Sequence, residues 1–170
     1  MIFAALENLK NKHDIKLIIA PHEIHEGHLS SIEKSLNFKH IRFSKADETS
    51  IQEYEVLIID NFGMLSRLYK YAEIAYVGGG FGAGIHNILE AVSYGIPVVF
   101  GTNYKRFKEA VDLVSLGSAA TIRNKEELSS VLDRYLSDKA LLERAGKISE
   151  GYVKKNLGAA DIILKEVNTL

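Results

Sequence analysis

Short apolar runs at residues 16–20, 41–43, 56–60, 74–78 and 97–100 recur along this chain, with longer amphipathic stretches between them. A further run occupies residues 119–122. Runs such as "VLIID" and "PVVF" are apolar almost without interruption, as strands are when both faces of a parallel sheet are covered. Their alternation with helix-length segments is a βαβ rhythm, and it predicts an α/β fold with a Rossmann-like, doubly wound parallel sheet. A length of 170 residues suits one domain burying roughly 70% of its unfolded surface, expected over residues 1–170.

The segments between the runs read as helices. "NKEELSSVLDRYLSDKALLERAGKISEGYVKKN" predicts two or more, with Asn124 as N-cap and Glu127 in the capping-box position. A last helix is expected after Gly158, and residues 44–52 read as a polar loop. The opening "MIFAALENLKNKHD" is helix-like, whereas doubly wound domains usually open on a strand, so a fragment is expected.

Composition excludes several classes. Lys and Arg total 21 against 22 Asp and Glu, a net charge of -1, which leaves no footprint for wrapping nucleic acid. The absence of cysteine removes disulfides, thiol nucleophiles and Cys-based zinc sites together, and fits a reducing compartment. The apolar runs fall far below the roughly 20 residues of a membrane-spanning helix, so a soluble piece is expected.

The most informative stretch is "YVGGGFGAGIHNILEAVSYGIPVVFG", residues 76–101. A strand, a glycine-rich turn and a helix start together form a common anion cradle, because glycines let the backbone approach and unpaired N–H groups favour negative charge. A tight turn needing positive φ satisfies the same pattern. No Gly-Lys-Ser/Thr follows, so a P-loop is disfavoured. Gly78, Gly80 and Ala83 fit a loose dinucleotide fingerprint, but no acidic residue lies between Glu90 and Glu109 to hold a ribose in that manner. Read as a helix opening near His86, the next segment puts His86, Glu90 and Ser93 on one stripe with Asn87 beside it. Ile85, Ile88, Leu89 and Val92 then form the apolar face. Phosphate at the turn and a ribose diol on Glu90 would suit a nucleotide; a carboxylate that merely complements the helix dipole is the alternative.

Several blocks resemble the donor-binding C-terminal domain of the 3-deoxy-D-manno-octulosonic acid (Kdo) transferases, which are GT-B glycosyltransferases. These are "APHEIHE", "DNFGMLSRLYKYAEIAYVGGG", "HNILE", "GIPVVFGTNYKRFKEA" and "NLGAADIIL", in that order. The resemblance implies transfer of Kdo from CMP-Kdo to a lipid A precursor in lipopolysaccharide biosynthesis, with inversion and with neither metal nor cofactor at this domain. It places CMP against Pro21 and His22, against Phe62, Gly63, Met64 and Leu65, and against Asn87, Ile88, Leu89 and Glu90. Gly80, Gly82, Gly84 and His86 become the phosphate and sugar loop. It also implies an acceptor-binding N-terminal domain that carries the catalytic base and faces the cytoplasmic side of the bacterial inner membrane. Neither that domain nor the first donor-domain strand has a counterpart here, so the isolated chain is expected to be inactive. His22 stands where the family has Arg, replacing a permanent cation by a titrating one. The turn is one residue shorter than in the family, and Ile85 replaces a glycine. A GT-B transferase or epimerase using a UDP-sugar, and a non-catalytic nucleotide-binding module, remain open alternatives.

Two other clusters compete. "HEIHEGH" spaces His22, His25 and His28 three apart; on a helix their imidazoles fan over about 120°, too wide for one metal ion, so a polar loop at the cleft rim is the expectation. His13 and His40 read as surface or strand-edge residues. "TNYKRFKEA", residues 102–110, reads as a solvated helix start, with approach of Lys105 or Arg106 to a phosphate as the competing reading. Tyr104 and Phe107 are expected to pack. No nucleophile elbow occurs.

Overall fold

The computed structural model describes residues 2–158 and Val167. All the apolar runs form strands: β1 Leu17–Ile19, β2 His40–Arg42, β3 Val56–Ile58, β4 Ala75–Val77, β5 Val98–Gly101 and β6 Ala119–Ile122. Every strand pairing is parallel, as expected of buried apolar runs joined by crossovers. The strands pair as two three-stranded ladders, β1-β3-β2 and β4-β5-β6.

The chain divides accordingly into two compact units. The first runs to Leu68 and includes Arg123–Ser137. It contains α1 Ile2–Glu7, α2 Glu26–Lys34, the single turn α3 Leu65–Leu68, and α6 Lys125–Ser137. Leu29 of α2 and Leu36 pack against Val56 and Ile58 of β3. The second unit comprises Tyr69–Ile122 and the chain from Asp138 onward, with α4 Leu89–Val92, α5 Lys108–Leu116 and α7 Lys139–Lys155. Val98 and Phe100 of β5 are fully buried at its centre, among Ile88, Val92 and Leu113.

Caps explain the helix starts. The Asn124 side chain accepts the Glu127 N–H at 2.8 Å, as predicted, and Glu127 reaches back to the Arg123 N–H at 2.9 Å, one residue before the cap. Asp138 caps α7 by accepting the Leu141 N–H at 2.9 Å. The opening segment is helical only to Glu7. His13 is half-buried and tied to Asp133 of α6 at 2.8 Å, which makes it more than a surface residue. Residues 44–52 include two 3-10 turns, Phe43–Lys45 and Ile51–Glu53. The helix expected after Gly158 lies outside the described residues. Among the described residues, no helix is long and apolar enough to cross a membrane.

Arg42, at the end of β2, is 8% exposed. Its guanidinium donates to both Glu26 oxygens at 2.6 and 2.7 Å and both Glu33 oxygens at 2.8 and 2.7 Å. These bonds hold the Glu26 carboxyl down at about 2 and lower Glu33 as well. Carboxyls depressed in the folded state contribute stability above their ordinary pKa and lose it as pH falls through the folded value. The clamp is therefore expected to be complete at neutral pH and to fail between about 4.5 and about 2. An Arg42→Met chain should show a flatter acid limb than the wild type when urea midpoints are compared at pH 7 and pH 3. Equal losses in the two chains would contradict the clamp.

Candidate functional site

The sequence-predicted site residues lie on the loops that leave the C-terminal ends of the strands, or in the first residues of the short helices after them, where open α/β sheets bind ligands. In the first unit, Pro21 and His22 follow β1, while Phe62, Gly63, Met64 and Leu65 follow β3, its hydrogen-bonded neighbour. The two loops therefore leave the same sheet edge. Phe62 is 81% exposed, although its ring is large enough to gain from burial against another flat group. The Met64 carbonyl accepts the N–H groups of Arg67 and Leu68, closing the turn of α3. Below this loop, Asp60 accepts the Ser44 N–H at 3.0 Å and the Ser44 hydroxyl. Burial pushes the Asp60 carboxyl up, but these bonds outweigh it and hold the group below its ordinary range. The carboxylate thus braces the loop after β3 against the loop after β2.

His25 and His28 are spent on local structure. His25 caps α2 by accepting the His28 N–H on Nδ1 at 3.1 Å, while its Nε2 lies 3.1 Å from the Glu23 carboxylate. Nδ1 of His28 lies 2.8 Å from the Glu23 carbonyl. This is a polar loop entering a helix, as the sequence predicts.

In the second unit, the glycine-rich turn follows β4. It folds back on itself: the Gly82 and Gly84 N–H groups donate to the Gly79 carbonyl at 2.9 and 3.3 Å, and His86 N–H donates to the Gly78 carbonyl at 3.1 Å. Gly80 is buried against the end of β5, where an added Cβ would lie 2.6 Å from the Gly101 nitrogen.

The expected helix start is corrected. Residues 84–88 are not helical, and α4 begins at Leu89. The cause is packing. Ile85 and Ile88, at 5% and 0% exposure, are seated in the core by the returning loop, while Leu89 stays 41% exposed. The apolar spacing thus imitates a longer helix. Asn87 forms a side-chain turn just before the cap residue Ile88: its side-chain oxygen accepts the Leu89 N–H at 3.0 Å, and its amide donates to Glu90 at 3.1 Å. With only four helical residues, little macrodipole accumulates at the start of α4. Glu90 is half-buried. Burial pushes the Tyr69 phenol up, and the charge of Glu90 pushes it further.

In the basic cluster after β5, Lys105 and Arg106 are exposed just before α5, as a solvated helix start predicts, and Arg106 makes a further bond. Arg106 donates to the Ala83 carbonyl and lies over the Phe107 ring at 5.0 Å. Asn103 reaches the same loop through its backbone N–H to Gly80 at 2.8 Å and its side-chain amide to Gly82 at 2.6 Å. Sequence reasoning passed over Asn103; its place at the C-terminal end of the strand beside β4 is the signal that could have found it. Tyr104 and Phe107 pack against the core as expected.

No protein-family model matches the chain. It is 29% identical over 162 residues to a 3-deoxy-D-manno-octulosonic acid transferase of Aquifex aeolicus, across 91% of this chain and 44% of the relative. A protein of the same name from Chlamydia muridarum is 30% identical over 133 residues, across 75% of this chain and 30% of the relative. The crystal structure of the C-terminal CMP-Kdo binding domain of WaaA from Acinetobacter baumannii matches with a TM-score of 0.69 at 23% identity, covering 86% of this chain and 80% of that one. The chain spans less than half the length of these curated relatives. Its fold is that of the C-terminal domains of GT-B glycosyltransferases. The resemblance to Kdo transferases carried by the motifs extends over most of the chain.

Proposed function

We propose that this chain is the donor-binding part of a glycosyltransferase that transfers Kdo from CMP-Kdo to a lipid A precursor in lipopolysaccharide biosynthesis. The observation that carries the reading is positional. The residues expected to contact CMP leave the C-terminal strand ends of β1 and β3 in one unit, and of β4 in the other. Main-chain groups of residues 61–65 read the cytosine edge and Phe62 covers its face, gaining the burial it lacks in the free protein. Glu90 accepts the ribose hydroxyls, and Asn87, anchored to Leu89 and Glu90, orients that carboxylate. Gly80, Gly82, Gly84 and His86 surround the phosphate and the sugar acid. Acceptor binding, the catalytic base and contact with the cytoplasmic face of the inner membrane belong, on this reading, to an N-terminal domain of the full-length protein.

Titration with CMP, UMP, UDP and NAD, followed through amide shifts near Gly63 and Gly84, tests the assignment. Selective CMP shifts at both loops are expected; a preference for UDP would instead identify a UDP-sugar transferase or epimerase. Glu90→Ala is expected to weaken CMP binding roughly 10- to 100-fold, the worth of a hydrogen bond to a charged group, with an unchanged melting temperature. Retained affinity with a collapsed melting temperature would place Glu90 in the fold rather than the site.

A further inference from the structure

We propose that Asn103 and Arg106 are positioning residues that set the glycine-rich turn to receive an anion, an inference that rests on the nucleotide-sugar reading of that turn. Three of its carbonyls, those of Gly80, Gly82 and Ala83, are held by this one neighbouring segment: Asn103 takes the first two at 2.8 and 2.6 Å, and Arg106 takes the third. The peptide bonds of the turn are trans. In a trans peptide the carbonyl of one residue and the N–H of the next point in opposite directions. Drawing those carbonyls toward the segment therefore turns the N–H groups of Phe81, Ala83 and Gly84 away from it. The Gly84 N–H returns to the Gly79 carbonyl at 3.3 Å. The Phe81 and Ala83 N–H groups are left aimed at the outer side of the turn.

Both consequences favour an anion. Carbonyl oxygens, which would repel it, are drawn back, and N–H groups converge as in other backbone nests. Arg106 adds charge without contact. Its partner in the turn is a neutral carbonyl, so the full positive charge of the guanidinium stays beside the loop. Gly84 permits the clasp, since a Cβ there would lie 2.5 Å from the Arg106 Nη2 atom.

The test compares Asn103→Ala, Arg106→Met and Arg106→Lys with the wild-type chain, measuring dissociation constants for CMP and for cytidine, which lacks the phosphate. A loss of roughly 5- to 10-fold in CMP affinity, about one net hydrogen bond, is expected for Asn103→Ala and Arg106→Met. Cytidine affinity should not change, and Arg106→Lys should recover most of the loss. A parallel drop for both ligands would mean general loosening of the fold and would overturn the proposal, as would unchanged CMP affinity. Inorganic phosphate separates this inference from the donor assignment. A wild-type amide shift at Ala83 that vanishes in Asn103→Ala, where the backbone N–H of residue 103 still holds the Gly80 carbonyl, supports the positioning role even if CMP is not preferred over UMP. A shift that persists in the variant, or none in the wild type, would overturn it.

Discussion

Phe100→Ala is expected to cost about 3–5 kcal/mol of unfolding free energy, a large share of the roughly 5–15 kcal/mol typical of a folded domain. Phe100 is fully buried on β5, the central strand of its ladder. Its ring sits 5.3 Å from that of Tyr104 at a tilt of 52°, so truncation removes both apolar transfer and an aromatic contact. Urea unfolding followed by circular dichroism measures the loss, and a change below about 1 kcal/mol would remove Phe100 from the core. Phe62→Ala supplies the contrast. At 81% exposure that ring contributes little to stability, and its removal should leave the urea midpoint in place while weakening CMP binding.

Gly80→Ala is expected to abolish measurable CMP binding and to destabilise the chain by about 1–3 kcal/mol, the range for overpacking a filled site. A Cβ at residue 80 would lie 2.6 and 2.7 Å from the nitrogen and Cα of Gly101. Both are backbone atoms of β5, so no side-chain rotation relieves the clash. The loop must lift from the strand end, and the Gly80 carbonyl then loses the Asn103 N–H. Chemical shifts at Gly82, Gly84 and Asn103 report the displacement, and CMP titration reports its effect. Wild-type affinity in this variant would show that the contact between Gly80 and Gly101 does not shape the binding loop.

The strands were legible because each is a short, β-branched apolar run that suits a buried parallel ladder. The caps at Asn124 and Glu127 were legible because capping is local chemistry between residues three apart. The start of α4 was not. Ile85, Ile88 and Val92 have helical spacing, but two of them are buried by a returning loop rather than by a helix face. Arg42 was overlooked for a related reason. A charged residue inside a short apolar run carries no sign of its partners until Glu26 and Glu33, seven apart on one helix, are seen to face it.

The sequence by itself determined the α/β class, the positions of the strands, the order of the motifs and the residue types on the strand-end loops. These follow from periodicity, turn chemistry and side-chain inventory, all of which act over a few residues. Only the tertiary structure decided the pairing into two ladders, the non-helical path of residues 84–88, and the use of Asn103 and Arg106 on the carbonyls of the glycine-rich turn. Those features depend on which distant segments meet. The hydrogen-bond partners of a loop are chosen by the strand beside it, twenty or so residues away in the chain and adjacent in the sheet.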